Sequence, residues 1–298
     1  AWIDGGAGAD SLTIQINSGD VDPVWTFGDE WTGLIASLSQ VSNVLASGER
    51  LTLRAGGNVS FLGFEKVDML GDRGDDFLIY MGGTRYFGGS AGNDIFYADW
   101  STETRNLSWD LSKPQSEVTR LSNGVSVQGI DYVLLRTGAG NDIILGTEDG
   151  DEIETGAGND TVSGEGLVHL GAGDDVAILR THVTQELSGR SARFEGGTGQ
   201  DRLIIDVSEA PDASRSYRQG ISWYAPDDNS DPHRDYLSDY NSIASWQIEN
   251  VPLTTFASGI GVTFSGFESI DQLAALEEFP ESTPEWTADL LVYMGGKR

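Results

Sequence analysis

Residues Thr137 to Ile178 read TGAGNDIILGTEDGDEIETGAGNDTVSGEGLVHLGAGDDVAI. Within this stretch Asp142, Asp151 and Asp160 recur at nine-residue spacing, and Ile144, Ile153 and Val162 follow each of them at the same offset. A fourth copy, Gly171-Ala172-Gly173-Asp174-Asp175, arrives after a compressed double step. The register is G-G-x-G-x-D-x-U-x, where U is apolar. Glycine at the loop positions permits backbone conformations that other residues avoid, so carbonyls can turn toward one point. One carboxylate per loop adds a hard oxygen ligand of the kind Ca²⁺ prefers. The single apolar residue two places on points inward from a very short strand, and stacked repeats join those residues into a continuous core. Ordinary Gly/Asp hairpin turns use similar residues, but they do not repeat in fixed register.

This pattern resembles the RTX (repeats-in-toxin), haemolysin-type calcium-binding nonapeptide family. The resemblance implies an all-β fold: a parallel β-roll or β-helix in which alternate nonapeptides lie on opposite edges and several Ca²⁺ ions sit between stacked loops. It also implies a secreted, extracellular protein. Such a protein is exported by type I secretion machinery through an uncleaved C-terminal signal and folds on Ca²⁺ outside the cell.

Composition agrees with a cation-held fold. The 298 residues include 47 acids against 18 bases, a formal charge of -29, which argues against nucleic acid as a partner. Disorder is the other reading of such acidity, but eight Trp, nine Tyr and eleven Phe exceed what a solvated tail carries. The absence of cysteine removes thiolate chemistry and soft-metal Cys sites. No apolar run approaches the length of a transmembrane helix. The resemblance, with its C-terminal signal, leads us to expect no N-terminal signal peptide, and none is read at Ala1.

A longer repeat lies over the short one. Gly5-Gly6-Ala7-Gly8-Ala9-Asp10-Ser11-Leu12-Thr13 fits the nonapeptide, and Ile3 stands where a preceding core residue belongs. An excursion from Gln15 to Gly57 follows, with a strand at Val24–Phe27 and helical spacing over Leu34, Ile35, Leu38, Val41 and Leu45. Met69, Leu78, Phe87 and Phe96 then run nine apart as core positions, with Asp76, Arg85 and Asp94 at the acid position. Glu65 precedes Asp76 by eleven residues, and Asp131 precedes Asp142 by the same distance. Trp25, Trp109 and Trp223 follow Asp10, Asp94 and Asp201. The closing element VSFLGFEKVD (59–68) returns as VTFSGFESID (262–271), and DLLVYMGGKR (289–298) repeats DFLIYMGGTR (76–85). We therefore expect one continuous array of three long units, about 1–84, 85–191 and 192–298, cut from a larger protein. Short helices are expected at Gln272–Glu278 and after Thr283-Pro284.

Stacking decides which acids should bind metal. The loops of Asp142, Asp160 and Asp175, with Gly138, Gly140, Gly156, Gly158, Gly171 and Gly173, should share one edge and hold at least two ions. Asp76 and Asp94 should share another edge, with no ion at Arg85, whose charge repels it. Asp151, with Glu148 and Asp149, offers an opposite-edge site. Asp10 and Asp201 have good loops but no partner loop nearby in sequence, so their sites are incomplete or use other acids.

The remaining motifs are weak. Asp227–Asp231 resembles an EF-hand opening but lacks the Gly and the closing Glu. Gly88–Gly92 satisfies G-x-S-x-G but falls on a repeat loop, and no H-E-x-x-H occurs. The three equivalent Trp residues suit packing better than a carbohydrate platform. The chain is therefore read as non-catalytic. The alternatives are an adhesin segment contacting a cell surface or glycan, and a polysaccharide lyase or epimerase on a β-helix.

Overall fold

A computed structural model describes residues 2–16, 24–27, 30–31, 37–46, 51–54, 58–147, 150–180, 191–206, 222–224, 253–257, 260–267, 269–273 and 294–295. The protein is all-β: short strands, mostly paired in parallel, with one helix among the described residues, Leu38–Ala46. No helix among them is long and apolar enough to cross a membrane. The chain forms two compact units, one of residues 1–140 and 150–154, the other of 141–149 and 155–298.

In the second unit, Ile143–Thr147, Thr161–Gly164, Val176–Arg180, Arg202–Asp206 and Ser269–Leu273 pair in parallel, in that order. A second sheet carries Leu167–His169, Ser191–Glu195 and Ile260–Ser265 in parallel, then Leu253–Ala257 and Ser222–Tyr224 antiparallel. From Thr161 to Arg202 the chain places successive strands alternately in the two sheets. The nonapeptide dictates this, because each repeat holds one short strand and one loop. Ile144, Val162, Ala177 and Leu203 lie opposite one another across the first sheet, all fully buried. Val168 and Phe194 do the same in the second. One apolar side chain per strand thus builds a continuous core row, as the period requires.

Among the described residues, three main sets of paired strands make up the first unit. Phe77–Ile79, Ile95–Asp99, Tyr132–Arg136 and Glu152–Glu154 form a parallel set. A second runs Ser11–Gln15, Lys66–Leu70, Gly82–Phe87 and Ser126–Gln128, closed by antiparallel Thr119–Arg120. A third begins with Trp2–Asp4 parallel to Asn58–Leu62 and continues antiparallel through Leu51–Arg54 and Val24–Phe27 to Glu30–Trp31. The helix buries Leu38 and Val41. It is held at its N-terminus by Glu152, whose carboxylate accepts the Leu38 N–H at 2.7 Å. Along its length Ser42 meets Tyr97 Oη at 3.0 Å and Arg136 Nη1 at 2.9 Å. Arg136 is itself fixed by Glu154 at 2.6 Å.

Several expectations shift. The buried residue of its strand is Tyr86, while Phe87 is half-buried. A register shift between Val67 and Met69 sets Met69 opposite Tyr86. The Tyr86 hydroxyl then donates to Val67 O at 2.8 Å and accepts the Met81 and Gly83 N–H groups. Ile3 is 37% exposed, because its strand is the edge of its sheet. Gln272 and Leu273, the first two residues of the expected helix, extend a strand against Ile205 and Asp206, and 274–278 lie outside the described residues. Trp109 is buried edge-on to Phe96 at 5.8 Å, which removes it as a glycan platform. Ser90 lies in an exposed turn with its N–H on Asp72 O, not on a strand-to-helix elbow. Leu34, Ile35, Glu148, Asp149, Asp227–Asp231, Thr283-Pro284 and most of 289–298 lie outside the described residues.

Candidate metal centre

The repeat aspartates of the second unit form a hydrogen-bonded ladder. The Asp142 N–H donates to Asp160 Oδ1 at 2.7 Å, Asp160 N–H to Asp175 Oδ1 at 2.7 Å, and Asp175 N–H to Asp201 Oδ1 at 3.0 Å. Each backbone carbonyl is used as well, Asp142 O by Thr161 N–H, Asp160 O by Val176 N–H and Asp175 O by Arg202 N–H. Aspartate suits this place because its carboxylate is short enough to stay at the strand entrance and still reach the neighbouring strand roughly 4.8 Å away. All four side chains are buried. Asp160 Oδ2 and Asp175 Oδ2 have no hydrogen-bond partner.

A second, outer ladder runs in the opposite sense. The Asn159 N–H donates to Asn141 Oδ1, Asp174 N–H to Asn159 Oδ1, and Gln200 N–H to Asp174 Oδ1, each at 3.0 Å. The residue before each repeat aspartate is therefore also a staple. The sequence signal for it was the Asx-Asp pair itself, repeated at 141–142, 159–160 and 174–175.

The glycine loops stack with the carboxylates. Ala172 N–H donates to Gly156 O and Gly158 N–H to Ala172 O, both at 2.8 Å, while Thr198 N–H reaches Gly171 O at 2.8 Å. Gly171 has φ +95° and lies so close to the loop behind it that a Cβ would stand 2.1 Å from Gly156 O. Glycine is thus required twice over, by conformation and by approach. Gly173 presses on Gly158 O in the same way. In the first unit Gly138 and Gly140 instead face the backbone carbonyls of Glu103 and Arg105, so this end of the nonapeptide block stacks on an excursion.

Electrostatics follow from burial. Burial pushes the Asp175 carboxyl up to about 7, helped by the Asp160, Asp201 and Asp174 carboxylates and opposed by the Asp160 N–H. Asp160 is raised by burial and by Asp142, against the Asp142 N–H and the Thr155 hydroxyl. Such a stack holds more negative charge than its own donors neutralise. Its chemistry fits a hard cation: buried carboxylate oxygens, some without partners, beside carbonyl-rich glycine loops, with no sulfur. Among the described residues no three carboxylate or imidazole side chains converge on one point. A cation here would be held by carboxylates of adjacent loops together with backbone carbonyls.

The other predicted acids divide. Asp201, whose site was expected to be incomplete or to use other acids, is the fourth rung, brought there across the intervening insertion. Asp10 donates its N–H to Glu65 Oε2 at 2.7 Å and keeps a buried, partnerless Oδ2, so Glu65 is the acid stacked against it. Asp76 and Asp94 stack as expected, with Asp76 N–H on Asp94 Oδ1 at 2.8 Å, and Asp94 is pushed up to about 8 by burial and by Asp76, Asp131 and Asp75. Arg85 pairs with Asp68 at 2.8 Å. Asp151 is buried and accepts the Val133 N–H at 2.8 Å. Glu65 and Asp131 were missed as rungs, although their shared eleven-residue offset marked them.

Residues 136–166 match the family model of the RTX calcium-binding nonapeptide repeat, in four copies. No curated protein matches the chain. This segment therefore carries RTX repeats, and it includes the Asp142 and Asp160 rungs of the aspartate ladder.

Proposed function

We propose that the chain is a non-catalytic, calcium-stabilised structural module of a secreted RTX-type protein. In this reading the two strand sets close into a parallel β-roll once Ca²⁺ enters the loop stacks, in an array of three long units. The observation that carries it is the buried Asp160–Asp175 step, where two acids are stacked and one oxygen of each lacks a partner. Ca²⁺ supplies charge neutralisation at such oxygens. The chain itself supplies the oxygen donors, the glycine backbone that lets loops approach, and hydrogen bonds that fix each carboxylate.

Folding is then coupled to metal. With free Ca²⁺ at about ten times the dissociation constant, each independent site adds about 1.4 kcal/mol. About five sites contribute about 7 kcal/mol, comparable with the stability of a whole domain. Without metal, one apolar residue per strand offsets little of the chain entropy. The chain would leave a low-calcium cytosol unfolded and fold outside. Far-UV circular dichroism in calcium and in EGTA tests this: the β signal should collapse in chelator and return with calcium. A full β spectrum retained in EGTA refutes metal-coupled folding.

A further inference from the structure

In the first unit the stacked carboxylates change behaviour at Asp131. Asp76 N–H donates to Asp94 Oδ1, and Asp94 N–H donates to Asp131 Oδ2 at 2.7 Å. Asp131 N–H then turns back to Asp94 O at 2.8 Å, and the next carboxylate, Asp151, takes the N–H of Val133 instead. The remaining oxygen, Asp131 Oδ1, accepts the side-chain amide of Gln115. Both oxygens of this acid are thus satisfied from within the protein. The Asp160 and Asp175 steps differ, each keeping a buried Oδ2 without a partner.

Gln115 is presented by design of the backbone rather than by chance contact. It sits in the excursion after Trp109, where Glu117 N–H closes a turn on Pro114 O at 2.9 Å. Gly129 N–H donates to Gln115 O at 3.0 Å, and Gln128 Nε2 donates to Ser116 O at 2.9 Å. The excursion is therefore stapled to the residues just before Asp131, which leaves the Gln115 amide little freedom to leave.

We propose that Gln115 is a built-in plug: its amide takes the oxygen of Asp131 that a Ca²⁺ ion takes elsewhere, so the Asp94–Asp131 step stays metal-free. A cation entering there would have to displace a donor group whose hydrogens repel it. This rests on the calcium reading above, which it refines by assigning which steps load. The excursion then sets ion number as well as covering the stack.

Counting bound calcium tests it, by equilibrium dialysis with radioactive Ca²⁺ on the full chain and two variants. Gln115→Ala removes the plug without adding a ligand, and Gln115→Glu replaces the donor with an acceptor of equal length. Both should bind one ion more than the wild-type chain, the Ala variant more weakly. Unchanged counts in both variants overturn the plug. A gain by the Glu variant alone also overturns it, because the new carboxylate rather than the lost amide then made the site. If the wild-type chain and both variants bind no calcium, the calcium reading itself falls and takes this inference with it.

Discussion

Replacing Gly171 by alanine probes the loop stack directly. At φ +95° an L-residue is strained by about 1–2 kcal/mol. Its Cβ would also stand 2.1 Å from Gly156 O, a backbone atom that no rotamer change can move. Relieving that contact needs a separation of roughly 1 Å between the loops, enough to stretch a 2.8 Å hydrogen bond beyond its useful range. The bond from Ala172 N–H to Gly156 O is lost and that from Thr198 N–H to Gly171 O is strained, at about 1 kcal/mol each. The total is about 3–4 kcal/mol. Gly124→Ala is the control, since Gly124 has φ +93° but nothing within 4 Å of a new Cβ, leaving only the strain of about 1–2 kcal/mol. Urea unfolding in saturating calcium measures both. A cost for Gly171→Ala within about 0.5 kcal/mol of the control would refute loop stacking at the observed spacing.

Three further outcomes follow from the ladders and the helix. Asp175→Asn keeps an acceptor for the Asp160 N–H but removes a buried charge, so in EGTA at pH 8 the variant should retain more β signal than wild type while gaining less from calcium; equal calcium-induced gains in β signal would contradict this. Asp94 and Asp175 have folded-state values of about 8 and about 7, above the ordinary 3.8. Between those limits the folded state holds protons that the unfolded chain has lost, so metal-free stability should fall as pH rises from about 4 to 8. Far-UV circular dichroism in EGTA at pH 5 and pH 8 checks the sign: more β signal should survive at pH 5, and more at pH 8 would reverse it. Arg136→Ala removes the ion pair with Glu154 and the bond to Ser42. It should raise amide exchange across Leu38–Ala46 selectively, with a cost of about 1–2 kcal/mol; unchanged exchange there would show that Leu38 and Val41 alone hold the helix.

Period decided what the sequence could say by itself. Nine-residue spacing fixes one strand and one loop per repeat, so the all-β class, the core row through Ile144 and Val162, and the stacking of Asp142, Asp160 and Asp175 were all legible. These are local facts repeated, and repetition makes them additive. Tertiary structure alone decided which non-adjacent loops meet. Asp201 joins Asp175 across an insertion, Glu65 joins Asp10 across an excursion, and Gln115 reaches Asp131 from a flap. A bulge between Val67 and Met69 likewise moved the core position from Phe87 to Tyr86. Each depends on where the chain returns after it leaves the repeat, and a return is set by strand pairing and packing rather than by spacing along the chain.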